Sequence, residues 1–451
     1  MEKTDVLVIG GSAAGLSAAV AGKSNYPDKE FLLIRKEKKV MVPCGIPYIF
    51  NSLASSDQNV LPGDGMYDKL GIKYKVGNVS SIDKGNKICL LDDGTEVKFD
   101  KLVLATGSIP KIPTWLKGVD LENVFTIPKN KIYLDEMKKK LQNLKKIVTI
   151  GGGFIGVELS DELNKGGKDV TIVEILPHIL SLAFDKELDV KAEEILQSRG
   201  IKIKTRTGAK EILANGKKVT GVLLNNGEIL DTDAVILSMG YTPNTQIAKE
   251  AGIKLNEKNF IKVDEYMRTE DPDIFAVGDC AEKRDFVTRK LSKTMLASTA
   301  CAEARIAGMN LYKLCTLKTF SGTIAIFSTI IGETGFGAAG LTEKQARDEG
   351  FDIVTGTFTG MDKHPGKLPN AHQQIVKLIA AKESGVILGG EVIGGLSSGE
   401  LINVIGFAIE NRMNINSILI SQIGTHPMLT ASPAAYPLIK AAEIAMRNIH
   451  N

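Results

Sequence analysis

The sequence lacks several things, and each absence excludes a class of protein. Among 451 residues there are five cysteines, Cys44, Cys89, Cys280, Cys301 and Cys315. The count is odd and no two stand in C-x-x-C spacing, which argues against a secreted disulfide scaffold, and no zinc or other metal site is expected. No long run of Lys or Arg is present, and 56 basic against 53 acidic residues leave a charge of only +3, so no nucleic-acid partner is expected. No apolar run reaches the ~18–20 residues that span a bilayer, so no membrane span is expected. The N-terminus imitates a secretory signal, with Lys3 followed by small and apolar residues up to Ala21. Asp5 opens that run, however, and Gly10, Gly11 and Gly15 read better as a phosphate loop. A cytoplasmic location is the expectation. Low-complexity segments and disordered linkers are also missing.

What is abundant is glycine, 45 residues, about 10% against the usual ~7%. Glycine is favoured where backbone turns tightly or approaches a ligand closely. With 43% hydrophobic residues the composition is that of an ordinary globular protein, and at about 150 residues per domain the length predicts about three domains.

One plan occurs twice. Asp5–Gly15 (DVLVIGGSAAG) is an apolar strand, a Gly-rich turn and the start of a small-residue helix; Ile147–Gly156 (IVTIGGGFIG) repeats it. Each copy is followed by a second apolar strand, Phe31–Ile34 and Val170–Val173. Two βαβ units imply an α/β fold with two Rossmann-like parallel sheets. Lys101–Gly107, Ala234–Gly240 and Ile274–Asp279 each read as a buried strand ending in a turn. From about Phe320 the texture changes to short strands (Ile324–Phe327, Ile353–Phe358, Ile375–Ala380, Val386–Val392) and a helix over Ser398–Arg412. This predicts a separate α+β domain.

Gly151-x-Gly153-x-x-Gly156 is a full dinucleotide fingerprint, following a strand and opening a helix. Backbone N–H groups and the helix N-terminus would meet a pyrophosphate there. Glu174 ends the next strand, where a carboxylate accepts hydrogen bonds from the adenosine ribose and repels a 2′-phosphate. NADH is therefore expected over NADPH. The first loop is less regular: Gly10 and Gly15 hold the outer positions, Ser12 replaces the middle glycine, and Arg35 stands where the ribose carboxylate belongs. Cys44 follows in Val42-Pro43-Cys44-Gly45-Ile46-Pro47-Tyr48.

The two loops, the Thr106-Gly107 turn, Gly278-Asp279 and Cys44 together resemble the FAD- and NAD(P)-dependent disulfide reductases, over nearly the whole chain. The resemblance implies FAD on the first loop, with Gly10, Gly11, Ser12, Ala13, Ala14, Gly15, Arg35, Lys36, Pro43, Thr106, Gly107, Gly278, Asp279 and Ala297 as expected contacts. It implies the nicotinamide cofactor on the second, with Gly151, Gly153, Phe154, Ile155, Gly156, Glu158, Glu174 and Gly240. Phe154 stands where the family often puts an aromatic gate over the flavin; core packing is the equal alternative. The implied domains are 1–112 with 245–322 (FAD), 113–244 (NAD) and 323–451 (dimerisation).

Two-cysteine members carry C-x-x-x-x-C, whereas position 49 here is Ile. The pattern resembles the single-cysteine branch of coenzyme A disulfide reductases, persulfide reductases, NADH oxidases and NADH peroxidases, in which one cysteine cycles between thiolate and an oxidised form. Oxidases and peroxidases of this branch usually carry a His in the first loop; here the stretch is Ser12-Ala13-Ala14. Coenzyme A disulfide reductases often have Tyr-Tyr-Pro-Gly where this chain has Lys363-His364-Pro365-Gly366, and Asn where it has Pro43. Lys23 and Lys73 are candidate phosphate contacts. The C-terminal part looks like that of dihydrolipoamide dehydrogenase and glutathione reductase. Thr425-His426-Pro427 resembles their His-Pro segment, which reaches across a homodimer to the other subunit's cysteine as acid and base. The Glu that follows that His by five residues is Ala431 here. Tyr436 is a candidate second donor.

The expectation is thus a homodimeric flavoprotein passing electrons from NADH through FAD and Cys44 to a disulfide or persulfide such as coenzyme A disulfide. The alternatives are an NADH oxidase or peroxidase acting on O2 or peroxide, and a flavin-bearing redox-sensing protein with slow turnover.

Overall fold

A computed structural model describes residues 1–61, 65–316 and 320–450. Among the described residues three large sheets carry the fold, with two smaller ones beside them. The first orders Ile72–Val76, Phe31–Arg35, Glu2–Ile9 and Glu96–Leu104 in parallel, and Ile274–Ala276 joins the C-terminal half of Glu96–Leu104. Phe31–Arg35 is buried at all five residues, as a strand covered on both faces requires. The N-terminal half of Glu96–Leu104 carries an antiparallel hairpin, Val79–Asp83 with Ile88–Leu91. Helices Ala13–Asn25 and Ala297–Met309 pack on each other through small residues. A Cβ on Gly308 would stand 2.6 Å from the Ala18 carbonyl oxygen.

The second sheet is wholly parallel, in the order Lys202–Lys204, Asp169–Val173, Lys146–Ile150, Ala234–Leu237, Val124–Thr126. A three-stranded antiparallel sheet, Ala209–Asn215, Lys218–Leu224 and Ile229–Asp231, flanks it. Where the chain passes between the two parallel sheets, Ser108–Pro110 pairs with Tyr241–Pro243. The two repeated βαβ plans are thus each the heart of one parallel sheet.

The third sheet is antiparallel, in the order Phe327–Ile331, Thr334–Gly340, Ile387–Gly394, Gln373–Ala381, Ile353–Met361. Helices Ser398–Glu410 and Pro437–His450 pack on it. The segment 324–326, expected in a strand, is irregular, and the strand begins at Phe327. Among the described residues no helix is long and apolar enough to cross a membrane.

Candidate active site

Both glycine loops have the same construction. Gly10 and Gly151 take φ of +118° and +109°, immediately after their strands. Close approach then demands glycine at the third position. A Cβ on Gly15 would lie 1.9 Å from the Gly10 oxygen, and one on Gly156 2.0 Å from the Gly151 oxygen; real contacts of that length do not exist. The helices that follow start at Ala13 and Phe154 (Ile155 lies in the first turn of the second), after Ser12 and Gly153. Neither has a side-chain cap or an acidic residue in its first turn. Their leading N–H groups are thus left to an external acceptor, the arrangement an anionic pyrophosphate fits. Around Gly153 the space is open where a Cβ would stand.

Glu174 directly follows strand Asp169–Val173; its Oε2 accepts from Gly152 N–H of the glycine loop at 2.6 Å, and its Oε1 from Leu176 N–H, two residues on, at 2.8 Å. Arg35 is buried between Tyr67 and Tyr74, its guanidinium 5.2 and 4.7 Å from their ring centres, and its side chain runs beside Gly11. Lys36 is exposed just beyond the strand. Lys23 and Lys73 have other partners: Lys23 Nζ donates to the carbonyls of Pro27 and Lys29, and Lys73 pairs with Glu30.

Three further segments converge beside the first loop. Gly278, at φ +79°, leaves room for a Cβ only 2.9 Å from the Ala14 Cβ, so helix Ala13–Asn25 lies directly on the Gly278–Asp279 turn. Ala297 opens the helix that packs there. Thr106 and Gly107 are tied to Asn244, whose backbone N–H donates to the Gly107 oxygen at 2.9 Å and whose carbonyl accepts from Thr106 Oγ1 at 2.5 Å. Gly240 is held through its carbonyl by Lys111 N–H at 2.9 Å.

Asp279 Oδ2 accepts from Ser108 Oγ at 2.7 Å and from Lys129 Nζ at 2.8 Å. Burial opposes its ionisation, yet Lys129 and Ser108 hold its carboxyl below the usual carboxylate range. Lys129 and Ser108 are contributed from outside every motif, and no sequence signal marked them.

Cys44 sits on the single turn Pro43–Gly45, where a Cβ on the glycine would press on the Asn59 side chain, 1.9 Å from its Oδ1. The cysteine is exposed, whereas Cys89 and Cys280 are buried. Partial desolvation still pushes its thiol up, Glu158 and Asp279 push the same way, and Lys129 opposes them. Glu158, on helix Phe154–Lys165, accepts from Thr329 Oγ1 of the third sheet at 2.7 Å. Burial lifts its carboxyl to about 7 against that hydrogen bond. The same carboxyl raises the Tyr48 hydroxyl, after burial, and Cys44 adds to it. Cys44, Tyr48, Glu158, Lys129 and Asp279 therefore form one electrostatic group, drawn from the first two sheets and braced by the third. Tyr48 lies in the cysteine motif, but nothing in its sequence position marked it as part of this group.

Phe154 stacks on Phe327 of the third sheet, with ring centres 5.2 Å apart, and meets Phe184 edge-on at 5.9 Å, so in this structure it is part of an aromatic seam. Tyr436 packs against the core of the third domain, and burial raises its hydroxyl. His426 is exposed on a turn closed by its own carbonyl, which accepts from Leu429 and Thr430 N–H. Its Nδ1 accepts from Met428 N–H at 3.3 Å. His364 is bonded to the same turn, its N–H to the Pro427 oxygen at 3.2 Å and its Nδ1 to the Thr430 oxygen at 2.9 Å. The two histidines thus share one surface, which sequence spacing does not reveal.

Residues 4–304 match the pyridine nucleotide-disulphide oxidoreductase family and residues 326–435 match that family's dimerisation domain. An NADH oxidase of Methanocaldococcus jannaschii is 30% identical, with 99% of each chain covered. The NAD(P)H coenzyme A polysulfide/persulfide reductase of Pyrococcus horikoshii is also 30% identical, covering 87% of this chain and 88% of its own. Among solved structures, the NAD-dependent persulfide reductase from A. fulgidus superposes with a TM-score of 0.90 at 28% identity, covering 98% of this chain and 83% of that one. Two matched glycine loops, an exposed cysteine between them and a family match over most of the length lead to one conclusion: the chain belongs to the pyridine nucleotide-disulphide oxidoreductases and is an FAD-dependent, NADH-using oxidoreductase.

Proposed function

We propose that this enzyme delivers electrons from NADH by way of Cys44 to a sulfur acceptor, a persulfide or a small disulfide. The supporting observation is the placement of Cys44: an exposed thiol on a tight turn, within the influence of Lys129, Asp279 and Glu158. Bound FAD would supply a two-electron carrier between nicotinamide and sulfur. The first loop, Thr106-Gly107 and Asp279 would hold it; Gly151–Gly156 and Glu174 would hold NADH. The domain division that suits these roles is 1–112 with 245–322, 113–244 and 323–451, the chain crossing at the paired strands Ser108–Pro110 and Tyr241–Pro243.

In the sulfur half-reaction the Cys44 thiolate attacks the acceptor's S–S bond. A bond forms between Sγ and one acceptor sulfur, and the other leaves as thiolate, taking a proton. Two electrons from NADH then cleave the new S–S bond, restoring the Cys44 thiolate and releasing the acceptor sulfur that was bound to it as a second thiol. We assign the proton on the leaving sulfur to His426 of the partner subunit in a homodimer, because His426 is exposed and the third domain matches a dimerisation domain.

A second reading, direct reduction of O2, is favoured by the name of the M. jannaschii relative, which matches over the full length. NADH consumption against polysulfide, coenzyme A disulfide, O2 and peroxide separates the two. Sulfur-dependent turnover should exceed O2-dependent turnover, and Cys44→Ser should lower it by about a thousandfold or more. Full sulfur-dependent turnover in Cys44→Ser defeats the cysteine route. Turnover with O2 alone establishes the second reading.

A further inference from the structure

Behind the Gly278–Asp279 turn lies a charge pair taken wholly out of water. The side chains of Lys283 and Glu303 are 1% and 0% exposed, with Nζ and Oε1 3.6 Å apart. Between them they grip both backbone polar groups of Gly278. Glu303 Oε2 accepts from Gly278 N–H at 2.7 Å, and Lys283 Nζ donates to the Gly278 carbonyl at 2.9 Å and to that of Ala281 at 2.7 Å. Glu303 comes from helix Ala297–Met309, so the pair also ties that helix to the turn. In front, the Asp279 carboxylate is held by Lys129 and Ser108. The turn is thus fixed at the main chain of Gly278 from behind and at the side chain of Asp279 from the other face.

Packing does not explain this pair. Two apolar side chains of similar volume would fill the space at no desolvation cost, and buried ion pairs are commonly no more stabilising than such replacements. An apolar pair could neither hold the carbonyl and the N–H of one residue nor place opposite fixed charges behind a turn. Burial lifts the Glu303 carboxyl to about 7, with Lys283 opposing, so the charge balance here depends on the lysine.

We propose that Lys283 and Glu303 are positioning residues for the flavin: they lock Gly278–Asp279 in its ligand-holding geometry and keep the region behind it electrically neutral. The proposal rests on the reading of Asp279 as an FAD contact.

The test is a redox titration of the holoenzyme together with FAD dissociation measurements. Glu303→Gln keeps an acceptor for Gly278 N–H but leaves the Lys283 charge uncompensated. An uncompensated cation favours the more negative, reduced form, so the midpoint potential of bound FAD should move positive. FAD affinity should change less than about threefold, since a hydrogen-bond acceptor remains. Adding Lys283→Met to Glu303→Gln removes that charge and should return the potential toward the starting value. The same double variant loses the grip on two carbonyls, so FAD should dissociate about tenfold more readily. A structural role alone would move both variants the same way. An unmoved or negative-going potential in Glu303→Gln, or a double variant displaced further than the single, overturns the proposal. Asp279→Ala is measured alongside: if it binds FAD as well as the unaltered enzyme, the Asp279 reading itself is at fault. If Asp279→Ala loses FAD while the pair variants change nothing, the pair alone is misassigned.

Discussion

Cys44 is a cysteine whose surroundings pull in two directions. Desolvation, Glu158 and Asp279 raise its thiol, and Lys129 is the one cation among the groups acting most strongly on it. Removing that cation should raise the thiol further. In Lys129→Met, alkylation of Cys44 by iodoacetamide should follow a pH profile displaced upward, with the rate at pH 8 lower by about threefold to tenfold. An unchanged profile would mean that Lys129 serves only Asp279. The cysteine was legible from its motif because neighbours in sequence form its turn. Lys129 was not, because its two partners, Ser108 and Asp279, are 21 and 150 positions away and an ion pair leaves no periodicity in a sequence.

At the scale of elements, the strand–turn–helix units were legible because their constraints are local. Gly151 turns the chain after the strand, and Gly156 lets the helix pass over that turn. Gly156→Ala would place a methyl group 2.0 Å from the Gly151 oxygen and 2.6 Å from Ser238 Oγ. The loop must open, so the NADH KM should rise at least about tenfold while the flavin spectrum stays intact, with about 1–3 kcal/mol lost on unfolding. Parallel loss of FAD would show that the two loops do not behave as separate sites. Phe154 was less tractable. Its place after Gly153 suits a gate or a core residue equally, and Phe327 and Phe184, which pack on it here, lie in distant segments.

At the scale of the whole molecule, a polar seam joins the part built on the second sheet to that built on the third, as Phe154 does. Asp185, ahead of helix Lys186–Ser198, accepts from Lys377 Nζ at 2.9 Å and from the N–H groups of Glu343 and Lys344, and its own N–H donates to Glu391. One turn on, Asp189 is buried. Burial, then Glu193, Asp185 and Glu187, lift its carboxyl to about 8. A folded pKa above the unfolded one means that the folded state holds the proton longer, so this group's contribution falls as pH rises between about 4 and about 8. Asp189→Asn should therefore melt at higher temperature than the unaltered protein at pH 8, by several kcal/mol of stability, with the advantage shrinking toward pH 4. A pH-independent difference would remove titration as its cause. On the third domain, Val404 and Phe407 stand on the exposed face of helix Ser398–Glu410, with Ile420 and Leu429 also exposed. Residues 326–435 match a dimerisation domain, so this exposed helix face is the one to test for contact between two copies. Phe407→Glu should shift the protein from dimer to monomer in sedimentation and, if His426 acts across subunits, lower sulfur-dependent turnover without loss of FAD.

The sequence by itself determined the two strand–glycine-turn–helix units, the turn that carries Cys44 and the change of texture at the third domain, because each depends on residues a few positions apart whose backbone geometry or apolar pattern admits few alternatives. Only the tertiary structure decided which charges surround Cys44, that Arg35 lies between two tyrosines, that His364 and His426 share a turn, and that Lys283 and Glu303 close on Gly278. Coulomb and hydrogen-bond partners are chosen by proximity in space, and the fold creates that proximity without leaving a mark in the local order of residues.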